Sequence, residues 1–245
     1  MTSKPNPYTL CSLLFETKAN YSQNLQTLLT LITNTQTNSL IVAPEVCLTG
    51  FAYADLENAL AFSQVATQAL LEVSDEKIIV LTMLEKVEGV VFNNAVVFYN
   101  GHIVYKRAKA RLFRLGNEHK YMAEGSDDDF KIIEVDGIKI AIFICFELRF
   151  KELWQKAEGA DVIVTPSWWG KPRADHFKSI TKTLAIINEC YVVVSDSLNA
   201  ECTGMSGIIS PQGEVKRNGN KPCLEVAYSK KNITLMRRYI DIGIQ

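Results

Sequence analysis

Three side chains of complementary reactivity each follow an apolar segment of this sequence. Glu45, Lys109 and Cys145 supply a carboxylate, an ammonium group and a thiol, each just beyond the end of a predicted strand. Together they could perform nucleophilic catalysis without a histidine. The glutamate would take the thiol proton, the lysine would stabilise negative charge, and the thiolate would attack a carbonyl or nitrile carbon. Because ligands of α/β sheets bind at the carboxyl ends of strands, the sequence predicts that the three converge.

Each of the three residue types also has an ordinary structural interpretation. A glutamate after a strand is commonly part of a solvated turn, and Lys109 lies in a cation-rich segment that could form an exposed face. Cysteines are most often buried structural residues. Cys145 differs because a predicted helix, residues 149–158, begins just beyond it, a setting that lowers a thiol pKa and supplies backbone N–H groups. Cys47 is the competing thiol and lacks that setting.

A cysteine–histidine mechanism has less support from the sequence. Of the three histidines, His102 lies in a predicted hairpin turn and His176 near the start of a predicted helix. Only His119, which follows Glu118 in a polar stretch, is kept as an alternative base.

The composition is that of an ordinary globular protein. The 245 residues are 47% hydrophobic and 22% charged, with a formal net charge of -1. This balance indicates neither a nucleic-acid partner nor a charged tail. No apolar run is long enough to span a bilayer, and we expect no secretory signal. The six cysteines lack a C-x-x-C pair, so neither a disulfide framework nor a metal site is indicated. We therefore predict one domain over residues 1–245, located in the cytoplasm, without nucleic-acid or membrane partners.

Apolar periodicity predicts an α/β fold with about a dozen strands and four or five helices. Several strand pairs are joined by turn dipeptides such as Asn100-Gly101, which indicates hairpins within mixed sheets. That many strands are best buried in two sheets packed together, with helices on both outer faces. The predicted strands are 8–14, 40–43, 77–83, 90–99, 103–105, 131–135, 138–144, 161–165, 191–195, 205–210, 214–216 and 222–226, and the predicted helices are 20–32, 57–73, 149–158 and 175–189.

Three ordered motifs give the sequence a family resemblance. Over most of its length the chain resembles the carbon–nitrogen hydrolase (nitrilase) superfamily, because the order Glu…Lys…Cys occurs at family-like separations. Departures from the family pattern are Arg111 in place of a histidine, Lys151 in place of a proline, and two apolar residues, Leu184 and Ile187, in place of charges. The matching segments are Pro44-Glu45 with Thr49-Gly50-Phe51, Tyr105 with Lys109-Ala-Arg-Leu-Phe113, Cys145-Phe-Glu-Leu-Arg149-Phe150, Thr165-Pro-Ser-Trp-Trp-Gly170 and Gly204-Met-Ser-Gly-Ile-Ile-Ser-Pro-Gln-Gly213.

The resemblance implies a four-layer α-β-β-α sandwich, usually a homodimer, and cysteine-based amide hydrolysis through a thioester. It implies that Cys145 is the nucleophile, Glu45 the general base and Lys109 the stabiliser of the oxyanion. Glu118 would orient the substrate or assist proton transfer, and the backbone N–H of Phe146 would be a second oxyanion donor. The resemblance implies no metal and no organic cofactor.

The expected substrate is a small linear amide or N-carbamoyl compound. Trp168, Trp169, Arg173 and Tyr53 are candidate substrate-binding residues, since an aromatic wall with a cation would suit a carboxylate, although the tryptophans could instead be core or dimer-contact residues. A nitrilase is a less favoured alternative. Another is an acyltransferase of the lipoprotein N-acyltransferase branch, whose multi-helix membrane anchor we do not expect here. A catalytically idle homologue is the remaining alternative, and the intact set of three residues argues against it.

Overall fold

The structure is a computed structural model that describes residues 8–244. Residues 1–7 and 245 lie outside the described residues. They include the start of the segment predicted to carry no secretory signal and both ends of the predicted domain 1–245. None of the described helices is long and apolar enough to cross a membrane.

Twelve strands and five α-helices form within the described residues. The strands are β1 (Thr9–Leu13), β2 (Ser39–Val42), β3 (Lys77–Val87), β4 (Val90–Tyr99), β5 (His102–Ala108), β6 (Ile133–Val135), β7 (Ile138–Ile142), β8 (Val162–Ser167), β9 (Tyr191–Asp196), β10 (Gly207–Ile209), β11 (Val215–Arg217) and β12 (Cys223–Ala227). The helices are α1 (Tyr21–Thr33), α2 (Leu56–Glu72), α3 (Lys151–Gln155), α4 (Ala174–Ile187) and α5 (Lys230–Tyr239).

The strands form two six-stranded mixed sheets, which confirms the predicted fold class. The first has the order β12-β1-β2-β3-β4-β5 and the second the order β11-β10-β9-β8-β7-β6. In each sheet three strands run parallel, β1-β2-β3 and β7-β8-β9, and antiparallel strands complete the edges. Short turns favour antiparallel pairing, whereas α1 and α2 provide the long crossovers that parallel pairs require.

Alternating side chains on the strands produce the four layers. Leu40 and Val42 point into the core between the sheets, whereas Ile41 faces the layer formed by α1 and α2. On the second sheet, α4 covers the outer face with Phe177 and Leu184. Strands buried on both faces read as continuous apolar runs rather than alternating ones, as β2 and β8 do.

The helices differ from the sequence prediction in three places. The predicted helix 149–158 is shortened to α3, because residues Cys145–Arg149 form a separate 3₁₀ turn. Helix α5 was not predicted, since it has little apolar content and buries only Ile233. The predicted helix 175–189 corresponds to α4, which ends at Ile187; Leu184 is buried in it, whereas Ile187 is exposed.

Candidate active site

The structure brings the three sequence-predicted side chains together at the ends of strands from both sheets. Glu45 follows β2, Lys109 follows β5 and Cys145 follows β7. Lys109 Nζ donates to Glu45 Oε1 at 2.7 Å and to both oxygens of Glu118 at 2.9 Å. The thiol of Cys145 interacts with the same Glu45 carboxylate. All four side chains are buried, so their charges act on one another with little screening by water.

Hydrogen bonds from neighbouring strands hold Glu45 in place. Its Oε1 also accepts from Asn93 Nδ2 at 2.8 Å, so this oxygen has two donors. Among the described residues Oε2 has no hydrogen-bond partner. The next residue, Val46, has a φ of 42°, and its N–H donates to Thr82 Oγ1 at 2.7 Å. Glu45 is therefore fixed through one oxygen and keeps the other available to accept a proton.

Cys145 sits in a strained backbone conformation at the start of a 3₁₀ turn. Its φ is 43°, in the left-handed region where a non-glycine residue is strained by roughly 1–3 kcal/mol. The turn Cys145–Arg149 begins immediately, so the N–H of Phe146 lies in its first turn, where a helix offers no internal acceptor. The thiol and the backbone N–H of Phe146 therefore come from adjacent residues at the start of this turn.

A fully buried ion pair connects the strand that precedes Lys109 to the turn that carries Cys145. Arg107 donates to both carboxylate oxygens of Glu147, which also accepts from the backbone N–H groups of Ala110 and Ile144 at 2.7 Å. The Arg107 and Glu147 side chains are 1% and 0% exposed. Glu147 thus ties the residue before Cys145 to the residue after Lys109.

Burial governs the proton affinities in the cluster. Burial raises the pKa of the Glu45 carboxyl, opposed by the cation of Lys109. Burial lowers the pKa of Lys109, but Glu45 and Glu118 outweigh it, so the pKa is raised and the side chain is a cation. The pKa of Cys145 is raised well above its ordinary value by burial and by Glu45. The expectation that the turn lowers this pKa is therefore wrong, because one short turn does not offset burial beside a carboxylate.

A small cavity of about 20 Å³ opens at the thiol. Arg149 stacks on Trp169 at 4.9 Å and Arg173 on the Phe113 ring at 5.1 Å. Burial, and then the proximity of Arg173, lower the pKa of Arg149. Neither guanidinium forms a salt bridge within residues 8–244. The cavity is lined by Phe113, Cys145, Phe146, Arg149, Trp168, Trp169, Gly170 and Arg173.

Not every candidate lies at this cavity. Tyr53 does not line it: its hydroxyl donates to the Gly116 carbonyl at 3.0 Å, and its ring stacks on Tyr121 at 4.2 Å. His119, the alternative base, is exposed. Cys47 is buried away from the cavity, and burial raises its pKa to about 12. A larger hollow of about 500 Å³ lies between β6 and residues 243–244, and the described residues that line it include no cysteine, serine or histidine.

Several residues of the site escaped the sequence analysis. Asn93 donates to Glu45, and its signal was a pair of adjacent asparagines inside a mostly apolar strand. Arg149 was noted only as part of the cysteine motif, yet it lines the cavity. Arg107 was grouped with exposed cations and is buried. Asp196 gave no signal, although it accepts from the backbone N–H of Trp169 at 2.7 Å and from the Thr203 hydroxyl.

Asp196 leads to a pH-dependent prediction. Burial raises its pKa from 3.8 to about 7, against hydrogen bonds that lower it. Between pH 3.8 and about 7 the folded chain holds a proton that the unfolded chain releases. The contribution of Asp196 to the free energy of unfolding therefore falls as pH rises, by about 1.4 kcal/mol per pH unit, and is constant above about pH 7. We expect Asp196→Asn to remove this decline. Urea unfolding at pH 5, 6, 7 and 8 measures it, and parallel curves for the two proteins would contradict the assignment.

Comparisons with known proteins show the family of the chain. Residues 8–237 match the family model of carbon-nitrogen hydrolases. The chain is 31% identical over 193 residues to a 2-oxoglutaramate amidase of Bacillus subtilis (strain 168), covering 74% of each chain. It is 28% identical over 182 residues to the omega-amidase YafV of Escherichia coli (strain K12), covering 72% of this chain and 70% of the relative.

A solved structure supports the fold. Nit3 of Saccharomyces cerevisiae, a member of branch 10 of the nitrilase superfamily, superimposes with a TM-score of 0.84 at 19% identity, covering 97% of this chain and 96% of Nit3. The chain belongs to the carbon–nitrogen hydrolase superfamily. Within it, the chain is an enzyme of the amidase-like branch.

Proposed function

We propose that this enzyme hydrolyses the carbon–nitrogen bond of small linear amides or N-carbamoyl compounds through a thioester on Cys145. The observation that carries the proposal is the buried cluster in which Lys109 binds both Glu45 and Glu118 beside the thiol. Burying a lysine with two carboxylates is costly unless the geometry is closely matched. Such an arrangement is typical of a catalytic site rather than of a core built for stability.

The first half of the reaction forms the thioester. Glu45 accepts the thiol proton, and the Cys145 sulfur attacks the carbonyl carbon, so a C–S bond forms and the carbonyl π electrons move to oxygen. Lys109 and the N–H of Phe146 stabilise that oxyanion. Glu45 then returns its proton to the amide nitrogen, the C–N bond breaks, and ammonia or an amine leaves.

The second half releases the product. A water molecule loses a proton to Glu45, with Glu118 as a second carboxylate near the same lysine, and attacks the thioester carbon. The C–S bond breaks and the sulfur recovers its proton from Glu45. Burial raises the pKa of Glu45, which makes it a stronger proton acceptor for this exchange than an exposed carboxylate.

We propose further that the substrate carries a carboxylate. Arg149 and Arg173 line the cavity beside Cys145 without a carboxylate partner in the described residues, so they present two cations to the substrate. A guanidinium recognises a carboxylate by paired hydrogen bonds. The substrate named for the Bacillus subtilis relative, 2-oxoglutaramate, has a carboxylate as well as an amide.

Replacing Arg173 with methionine tests the substrate class. We expect KM for ω-amides that carry a carboxylate to rise about 10- to 100-fold, because a hydrogen bond to a charged group contributes roughly 1.5–3 kcal/mol. Turnover of the matching uncharged amides should change little. Ammonia release from both series measures this, with the exposed neighbour Lys171→Met as the control. Equal losses on both series, or silence of the wild type on all amides, N-carbamoyl amines and nitriles, would contradict the proposal.

We also propose a homodimer located in the cytoplasm, as the sequence predicts. Exposed apolar side chains on α4 and near the end of the chain, Ile186, Ile187, Tyr239 and Ile240, provide surface that a second copy could cover. Sedimentation equilibrium of the purified protein tests the dimer.

A further inference from the structure

A second cluster of ligating side chains lies on the edge of the first sheet, away from Cys145. Cys11 on β1 and Cys223 and Glu225 on β12 place one ligand atom each within 4.8 Å of one another. The pairing register explains the convergence: Cys11 is opposite Glu225, and Cys223 precedes Glu225 by two residues, so all three side chains emerge on the same sheet face. The mechanism at Cys145 uses none of them.

We propose that Cys11, Cys223 and Glu225 bind a thiophilic divalent cation such as Zn²⁺. Thiolates and a carboxylate are common zinc ligands, and three protein ligands leave the fourth tetrahedral position for water. Zinc–sulfur bonds of about 2.3 Å place two thiolates ~3.8 Å apart. The separations within the cluster therefore require only small side-chain rotations to form the site.

The register favours a bridging ion over a disulfide. Cys11 and Cys223 are diagonal rather than directly opposite, because Cys223 pairs with Leu13. Diagonal cross-strand positions are separated by about 7–8 Å between Cα atoms, whereas a disulfide usually needs about 4.4–6.8 Å. A metal ion spans the extra distance without moving the strands.

The charges around the cluster also fit a bound cation. Lys77 is 8% exposed, its Nζ donates to the Ile32 carbonyl at 2.8 Å, and no carboxylate pairs with it in the described part of the chain. It interacts electrostatically with Cys11. Two thiolates, one carboxylate and one divalent cation leave a single negative charge, which the Lys77 ammonium balances. The site would fasten β12, the last strand, to the centre of the fold.

Cobalt titration of the Cys145→Ser protein tests the site, since that background removes the active-site thiol as a competing ligand. We expect one equivalent of Co²⁺ to bind with the sulfur-to-cobalt charge-transfer absorption of two thiolates, and one equivalent of Zn²⁺ to displace it. Zn²⁺ should also raise the melting temperature by several degrees, because it binds only the folded state. Adding Cys223→Ser should halve the charge-transfer intensity, and Cys202→Ser, which removes a buried cysteine elsewhere, should leave it unchanged.

Glu225→Gln tests the site at an exposed residue, where a substitution does not disturb the core. Glu225 is exposed on an edge strand, so the substitution should preserve the fold while weakening Zn²⁺ binding on the order of tenfold or more. Failure of the reduced protein to bind cobalt stoichiometrically would overturn the site. So would a spectrum unchanged by Cys223→Ser, or a Zn²⁺ affinity unchanged by Glu225→Gln.

Discussion

Replacing Cys145 with serine should reduce amide hydrolysis by a factor on the order of 10⁵, because removing the nucleophile of a concerted catalytic set removes nearly all of its rate enhancement. A serine hydroxyl is far less acidic than a thiol, so Glu45 cannot ionise it to a comparable extent. The fold should be unaffected, since the two side chains differ by one atom. Steady-state ammonia release, with circular dichroism to verify folding, measures the effect.

The matched control for that loss is Cys47→Ser. Cys47 is a fully buried thiol two residues after Glu45, and its pKa is also raised by burial. It lies outside the cavity, so we expect its replacement to leave turnover within a few-fold of the wild type. If both serine variants lost activity equally, or if Cys145→Ser kept substantial turnover, Cys145 would not be the nucleophile.

The second large effect concerns the buried Arg107–Glu147 pair. Glu147→Gln should destabilise the protein by about 3–5 kcal/mol, because it leaves the Arg107 guanidinium buried without its counter-charge. Activity should fall as well, since Glu147 fixes the backbone on both sides of the site through Ala110 and Ile144. Urea unfolding gives the stability change, and ammonia release below the unfolding transition gives the activity.

The partly exposed pair Arg111–Asp127 provides the comparison. Its side chains are 24% and 34% exposed, so Arg111→Met should cost less than about 1 kcal/mol. The double variant Arg107→Met with Glu147→Gln should lose less stability than the two single losses added together. Equal costs for the buried and partly exposed pairs would show that Glu147 does not anchor the site.

The candidate catalytic residues could be predicted from sequence because their signals were local. Each reactive side chain stood within a few residues of the end of a predicted strand, and the order Glu45, Lys109, Cys145 matched a known pattern. Strand positions were recovered for the same reason, since apolar runs such as those in β3 and β4 are visible from neighbouring residues alone.

The environment of these residues could not be predicted, because it depends on distant partners. Arg107 and Lys109 are alternate residues of a cation-rich segment that reads as exposed. The packing of the two sheets brings Glu147 to Arg107, and the strand order within the first sheet brings Glu45 to Lys109. The raised pKa of Cys145 has the same origin: the local sequence shows a turn that would lower it, whereas burial beside Glu45 raises it. Helix α5 was missed because its composition is mostly polar and only Ile233 is buried, so its apolar signal is weak.

The central claim is that Glu45 makes a thiol of raised pKa reactive. The most direct test is the rate at which iodoacetamide alkylates each cysteine at pH 7, mapped by mass spectrometry in the wild type and in Glu45→Gln. We predict that Cys145 reacts faster than the other five thiols and that a substrate amide protects it. Glu45→Gln should slow its alkylation at least tenfold without changing the others, because losing the base that takes the thiol proton outweighs losing a charge that raises the thiol pKa. A Cys145 that reacts no faster than its fellow cysteines, or equally fast in both proteins, would contradict the account.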